Sequence, residues 1–292
     1  MKKLVYLVSG LLIMSFASCG AGAPKAETEA EAETETKAAE EVALNYSTSA
    51  EDAANSGSAT FKKDADGYIT IFDGTNLNGW RGYAKDHVPG KWSIEDGCLK
   101  FSGSGGGEAQ ETEGGDIIFA HKLKNFIVEL EWKISKGGNS GIFYYAQELK
   151  RADGNGYEPI YISSPEYQVL DNENHVDALA GKNGNRKSAS LYDMIPATPQ
   201  NSKPFGEWNK AEIVVSKGSV FHKQNGETVA EYHLWTPQWI ELLQDSKFSE
   251  KAWPEAFAAL KEVGGPNREG FFGLQDHGDD VWYRNIRIKI LD

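Results

Sequence analysis

The nine residues Phe126-Ile127-Val128-Glu129-Leu130-Glu131-Trp132-Lys133-Ile134 decide the fold class. Phe126, Val128, Leu130, Trp132 and Ile134 recur at every second position, with charges at Glu129, Glu131 and Lys133 between them. That is the pattern of a strand with one face in a core and the other in water. Shorter runs of the same kind occur at 68–72, 92–94, 141–145, 167–170, 211–216, 219–223, 271–275 and 281–290, separated by Gly, Asn and Asp turns. Many short antiparallel strands at such spacing predict an all-β protein, a sandwich or jelly roll of two sheets. Asn225-Gly226, between Val220-Phe221-His222 and Val229-Ala230-Glu231, is a type I′ hairpin signal. One short helical excursion is expected over 249–263, capped by Ser249 and packed through Trp253, Ala256, Phe257 and Leu260.

Toward the N-terminus the alternation gives out. Lys2 and Lys3 precede an apolar stretch over 4–16, which has the length of a signal-peptide core and is too short to span a bilayer. Phe16-Ala17-Ser18-Cys19-Gly20 resembles the bacterial lipobox. A signal peptide over 1–18 is therefore expected, with Cys19 lipidated and the exported protein held at the outer membrane by its lipid, on the periplasmic or the cell-surface side. Residues 21–60 hold nine acids against Lys25 and Lys37 and few large apolar side chains, so 19–60 reads as an extended, disordered acidic tether. The folded domain is expected over 61–292. Cys98 is then left without a partner, so no disulfide is expected and Cys98 reads as a small buried apolar residue.

The net charge of −13 excludes electrostatic attraction to nucleic acid or to an anionic membrane surface. Eight Trp and twelve Tyr suit a β core and a sugar-binding surface alike. The sequence has no Gly-x-Ser-x-Gly elbow, no His-Glu-x-x-His and no dinucleotide fingerprint. Asp64-Ala65-Asp66-Gly67 lacks the further carboxylates of a calcium loop and reads as a turn.

What remains is a set of polar residues on strands. In Glu166-Tyr167-Gln168-Val169-Leu170-Asp171, Glu166 and Gln168 share one face and Tyr167 and Val169 the other. A carboxylate beside a carboxamide can bind sugar hydroxyls, or can be an ordinary solvated sheet face. The stretch 270–286 reads as a hairpin turning at Gly278, Asp279 and Asp280, which sets Asp276 across from Trp282 and diagonal to Arg284. Arg284 shares a face with Ile286, Ile288 and Ile290 in that reading. It either pairs with Asp276 or emerges at the sheet end to stabilise negative charge on a substrate. His277 is a candidate acid, base or metal ligand, or a solvent-exposed turn residue.

These residues resemble a known family, the 3-keto-disaccharide hydrolase or 3-keto-glucoside 1,2-lyase–hydratase domain. The marks are Ile71-Phe72-Asp73-Gly74-Thr75-Asn76-Leu77-Asn78-Gly79-Trp80, Asn139-Ser140-Gly141-Ile142, the stretch from Glu166 to Asp171, Ser190-Leu191-Tyr192, Gly206-Glu207-Trp208-Asn209, and Gly273-Leu274-Gln275-Asp276-His277-Gly278 running to Arg284-Asn285-Ile286. One departure is Ala189, where the family usually has Gly before the Ser-Leu-Tyr segment; it puts the groove wall, and with it the substrate, in question.

The resemblance implies a concanavalin A-like jelly roll whose curved sheet carries a saccharide groove. It also implies cleavage of 3-keto-glycosides: the ketone acidifies the C2 proton, a base removes it, and the glycosidic oxygen leaves by β-elimination, with water adding back to give net hydrolysis. On that reading Glu166 or His277 is the base, and Arg284, or a divalent metal near Asp276 and His277, steadies the enolate. Asn139, Gln168, Asp171 and Gln275 bind hydroxyls, and Tyr144, Tyr192, Trp208 and Trp282 line or stack on the sugar. A separate sugar 3-dehydrogenase must supply the ketone. A non-catalytic carbohydrate-binding lipoprotein, and a structural surface lipoprotein, are the competing readings.

Overall fold

A computed structural model describes residues 39–52, 56–103 and 113–292. The signal peptide, Cys19 and most of the expected tether lie outside the described residues, as does most of the glycine run after Ser102. Among the described residues there are fifteen strands and two short α-helices: β1 (Glu40–Tyr46), β2 (Gly57–Lys63), β3 (Ile69–Phe72), β4 (Trp80–Gly82), β5 (Trp92–Glu95), β6 (Cys98–Phe101), β7 (Ile117–Leu123), β8 (Phe126–Ile134), β9 (Asn139–Ala146), β10 (Glu166–Leu170), β11 (Asn209–Ser216), β12 (Ser219–Gln224), β13 (Glu227–His233), α1 (Pro237–Gln244), α2 (Pro254–Lys261), β14 (Gly270–Leu274) and β15 (Val281–Ile290). Neither helix is long and apolar enough to cross a membrane.

The strands build two antiparallel sheets, a jelly-roll sandwich as the alternation predicts. The larger runs β1-β2-β3-β15-β8-β11-β12-β13, with β6 and β5 extending from β15; the smaller runs β10-β9-β14-β7-β4. β8 is central to the larger sheet, and Phe126, Val128, Leu130, Trp132 and Ile134 are all buried between the sheets. Tyr144 and Tyr167 of the smaller sheet meet His222 of β12 across this core. Cys98 is free and buried. Asn225 and Gly226 both take positive φ in the turn joining β12 to β13, as a type I′ hairpin requires.

Four expectations are corrected. The domain begins before residue 61: β1 and β2 pair along their whole length, with Glu40 opposite Lys63 and Glu41 opposite Lys62. Val42, Leu44 and Tyr46 supply an apolar alternation that the surrounding acids mask, and Leu44 is buried.

The helix expected over 249–263 starts only at Pro254, after a first helix, α1, that the periodicity did not announce. Ser249 does not cap it; its carbonyl accepts Trp253 N–H in a preceding turn, and Pro254 at the first helical position holds Trp253 outside the helix.

The stretch 270–286 is not a hairpin, because β14 belongs to the smaller sheet and β15 to the larger; residues 275–280 are a crossover between them.

Finally, a bulge at Asn285, whose φ is +53, shifts the phase of β15. Val281 and Tyr283 face the core before it and Ile286 and Ile288 after it, so Arg284 lies on the outer face of the larger sheet instead of sharing a face with the isoleucines.

Candidate functional site

The register of β10 on β9 sets Glu166 opposite Phe143, Gln168 opposite Gly141 and Leu170 opposite Asn139. Directly opposed residues point to the same side of a sheet. Because Tyr144, Tyr167 and Val169 point into the core, Glu166, Gln168 and Asn139 face outward from the smaller sheet. Gln275 joins them where the chain leaves β14, its N–H donating to Gly141 O at 2.9 Å. These four side chains floor a pocket of about 120 Å³ walled by Tyr161, Tyr192, Lys247, Trp253 and His277. Three larger grooves among the described residues, of about 330, 390 and 360 Å³, the last bordered by Lys247 on its other side, gather no comparable set of amides, imidazole and carboxylate.

The floor is buried: Glu166 is 7% exposed, Gln168 1%, Asn139 3% and Gln275 4%. Gly141 makes room for the carboxylate, since a β-carbon there would stand 2.8 Å from the Glu166 carboxyl carbon and closer still to Oε1. Asn139 Nδ2 lies 3.2 Å from His277 Nε2. An amide nitrogen only donates, so this bond makes Nε2 the acceptor and places the neutral ring's proton on Nδ1. Asn139 Oδ1 is buried with no hydrogen-bond partner, the state of an acceptor that a ligand hydroxyl would satisfy.

The walls come from three segments. The strand-like stretch before Tyr192 lies along the edge of β10, with Ala189 N–H donating to Gln168 O at 2.8 Å and Gln168 N–H to Ser190 O at 3.2 Å. Ala189 has φ +65, a left-handed conformation that glycine adopts freely and alanine at a cost. The departure from the family pattern thus falls on a backbone position where a glycine is the unstrained choice. Tyr192 reaches the pocket, but its hydroxyl is bound to Asp177 Oδ2 at 2.8 Å, leaving the ring as wall. The excursion through α1 and α2 brings in Lys247 and Trp253. Trp253 stacks on Phe248 at 6.2 Å and meets Tyr161 edge-on at 5.8 Å. Lys247 Nζ stands 4.4 Å from the Tyr192 ring centre, and its backbone N–H donates to Asp193 Oδ2 at 2.6 Å. Burial pushes the Lys247 ammonium below the usual lysine range, opposed by the Glu166 and Asp193 carboxylates.

His175 stands behind His277, ring centres 6.1 Å apart and nearly perpendicular. Its Nδ1 accepts Asp177 N–H at 3.1 Å. Burial and then the neighbouring His277 lower its pKa.

Several expected site residues are elsewhere. Asp276 does not pair with Arg284: its oxygens accept Gly115 N–H at 2.7 Å and Gly278 N–H at 2.9 Å, and burial raises its pKa against those bonds. Arg284 instead donates to Glu131 Oε2 at 2.6 Å and lies 4.0 Å over the Trp208 ring. Trp282 shares this outer face, its ring 4.7 Å from Lys133 Nζ. Arg284, Trp208 and Trp282 therefore stand on the opposite side of the sandwich from the pocket. Tyr144 faces the core, its hydroxyl 2.7 Å from His222 Nε2 and bonded to that of Tyr232. Asp171 accepts Gly137 N–H and Asn174 Nδ2, each at 2.7 Å, and organises the loop after β10. Among the described residues no three His, Cys, Asp or Glu side chains gather as a metal site requires. With Asp276 committed to two backbone N–H groups, the residues do not fit the divalent ion weighed above.

Lys247, Trp253, Tyr161 and His175 escaped the sequence reading in these roles. Trp253 appeared only as part of a helix stripe, and Lys247 sits between two helices in a segment with no periodicity; the long-range bond to Asp193 is what places it.

A family model of the 3-keto-α-glucoside-1,2-lyase-like domain matches residues 67–289. A Bacteroides thetaiotaomicron protein named 3-keto-disaccharide hydrolase is 62% identical over 300 aligned residues, covering 100% of both chains. Crystal structures of two Parabacteroides distasonis proteins described as candidate glycosyl hydrolases are also similar. One is 28% identical, with a TM-score of 0.63 over 78% of this chain and 95% of its own. The other is 26% identical, with a TM-score of 0.56 over 77% of this chain and 99% of its own. By the extent of that match, and by an identity that runs the whole length of the chain, this protein belongs to the 3-keto-α-glucoside-1,2-lyase-like domain family.

Proposed function

We propose that this protein is a carbohydrate hydrolase that cleaves 3-keto-glucosides by C2 proton abstraction and β-elimination, followed by addition of water. One observation carries the choice of chemistry. Among the described residues that line the pocket, Glu166 alone bears a carboxylate. Retaining and inverting glycosidases of the usual kinds need two, flanking the scissile bond. Elimination from a ketone needs one base, donors for the enolate oxygen and a proton for the leaving oxygen.

In this reading the Glu166 carboxylate, held over Gly141, removes the proton from C2. Negative charge then moves onto the C3 oxygen, where the amides of the floor and the His277 imidazole offer donors. Asn139 Oδ1 takes a hydroxyl of the sugar, and Tyr161, Tyr192 and Trp253 give the apolar walls on which a sugar face rests. Loss of the C1–O1 electron pair releases the aglycone. Water adds at C1 while the proton returns to C2. Because the chain carries no dinucleotide fingerprint, a separate sugar 3-dehydrogenase supplies the ketone. The lipobox-like run ending at Cys19 supports an exported, lipid-anchored protein at the outer membrane; metabolic palmitate labelling lost in Cys19→Ala tests it.

Turnover of a 3-keto-glucoside in deuterated water distinguishes the mechanisms. Elimination and rehydration leave deuterium at C2 of the released 3-keto-glucose, whereas direct displacement at C1 leaves none. Binding with no turnover would favour a carbohydrate-binding module.

A further inference from the structure

We propose that Lys247 is the proton donor to the departing glycosidic oxygen, and that Lys247 and Glu166 work as a coupled acid–base pair. This rests on the keto-glucoside reading and supplies the acid it lacks.

Among the described residues, Lys247 is the one cation lining the pocket. Its position is fixed at both ends: the backbone N–H is bound to Asp193, and the ammonium lies against the rings of Tyr192 and Phe248, at 4.4 and 5.1 Å. Asp193 is itself held by Arg186 Nε at 2.6 Å, and Arg186 also binds Asp177 at 2.9 Å. The charges facing the ammonium are therefore Glu166, Asp193 and Asp177, with Arg186 opposing them. Asp193 and Asp177 are both held by Arg186, whose single charge offsets one of theirs, and neither lines the pocket; Glu166 is the carboxylate whose charge changes during the reaction.

His277 is less suited to the role. Its Nε2 accepts from Asn139 Nδ2, and it stands at the Asn139–Gln275 end of the floor, where the enolate donors are.

The balance closes. The C2–H bond breaks and its proton goes to Glu166; the electron pair forms the C1–C2 double bond as C1–O1 breaks. The leaving oxygen takes a proton from Lys247 Nζ. The site then holds a neutral carboxylic acid and a neutral amine. Protonation of Glu166 removes the charge that favours the ammonium, so Lys247 becomes more acidic as its proton is needed. In the second half, once the aglycone has left and the Glu166 carboxyl has exchanged its proton with solvent, Lys247 Nζ takes a proton from water, the hydroxide adds to C1, and Glu166 delivers a proton to C2. Both groups end as they began.

The test compares two 3-keto-glucosides, one with a 4-nitrophenyl aglycone that leaves without protonation and one with a methyl aglycone that requires it. General acid catalysis contributes about 10²- to 10⁴-fold. Lys247→Met is expected to lower kcat/KM by at least about 100-fold on the methyl glycoside and by less than about 10-fold on the nitrophenyl one, the latter also showing that the variant is folded. Lys247→Arg, which keeps the charge and holds its proton, should show the same split. Losses equal on both substrates in both variants, with melting temperatures unchanged, would overturn the proposal, as would full activity on the methyl glycoside. A wild-type protein that acts on neither would overturn the keto-glucoside reading, and this proposal with it.

Discussion

The carboxylate of Glu166 occupies the space where Gly141 has no side chain. A β-carbon on Gly141 would lie 2.8 Å from the carboxyl carbon, on a strand whose backbone is bonded on both sides, to β10 and to β14. The carboxylate would have to give way. Gly141→Ala is therefore expected to reduce turnover by at least about 100-fold by misplacing the base, since an error of about 1 Å at reacting groups has that consequence. Stability should fall by only about 1–3 kcal/mol, the usual cost of one extra methyl in a packed site. Rate and urea-unfolding measurements on the same variant check both halves.

Arg284→Ala should leave turnover within about twofold of wild type, because Arg284 stands on the far side of the sandwich with Glu131 and Trp208. It is half-exposed, so its ion pair contributes no more than about 1 kcal/mol. Asn139→Ala, by contrast, removes the bond to His277 and the unpartnered acceptor in the floor, and should raise KM at least about tenfold. A kinetic comparison of the two variants separates the faces.

The contrast between those residues shows how far the sequence could be read. The alternation in β8 and β10 gave the two-sheet fold and put Glu166 and Gln168 on one face, because strand periodicity is local. The position of Arg284 depended on one left-handed residue, Asn285, which flips every side chain before it relative to those after. The apparent hairpin at 270–286 failed for a similar reason: strand pairing across a sandwich is not encoded in turn residues alone, and Gly278 serves a crossover as well as it would a hairpin. Tyr144 looked like a sugar platform, yet alternation places Phe143 on the outer face and Tyr144 in the core. Lys247 was invisible because its partners, Asp193 and Glu166, lie 54 and 81 residues away in the chain.

His222 predicts a pH dependence of stability. It is wholly buried, with Nδ1 donating to Ala189 O at 3.0 Å and Nε2 accepting from Tyr144, so it folds neutral; burial lowers its pKa from 6.5 to about 4. The unfolded chain binds this proton first as pH falls. The contribution is complete above pH 6.5 and is lost between there and about 4, amounting to roughly 3 kcal/mol. Urea midpoints measured from pH 7 to 4 should fall less steeply in His222→Gln than in wild type; parallel curves would contradict the assignment.

The most direct test of the central claim is aglycone release by the domain comprising residues 39–292, offered 4-nitrophenyl 3-keto-glucoside and the matching ordinary glucoside side by side. The account predicts nitrophenol from the keto substrate alone, with release abolished in Glu166→Gln. Equal release from the ordinary glucoside, or undiminished release by Glu166→Gln, would contradict it.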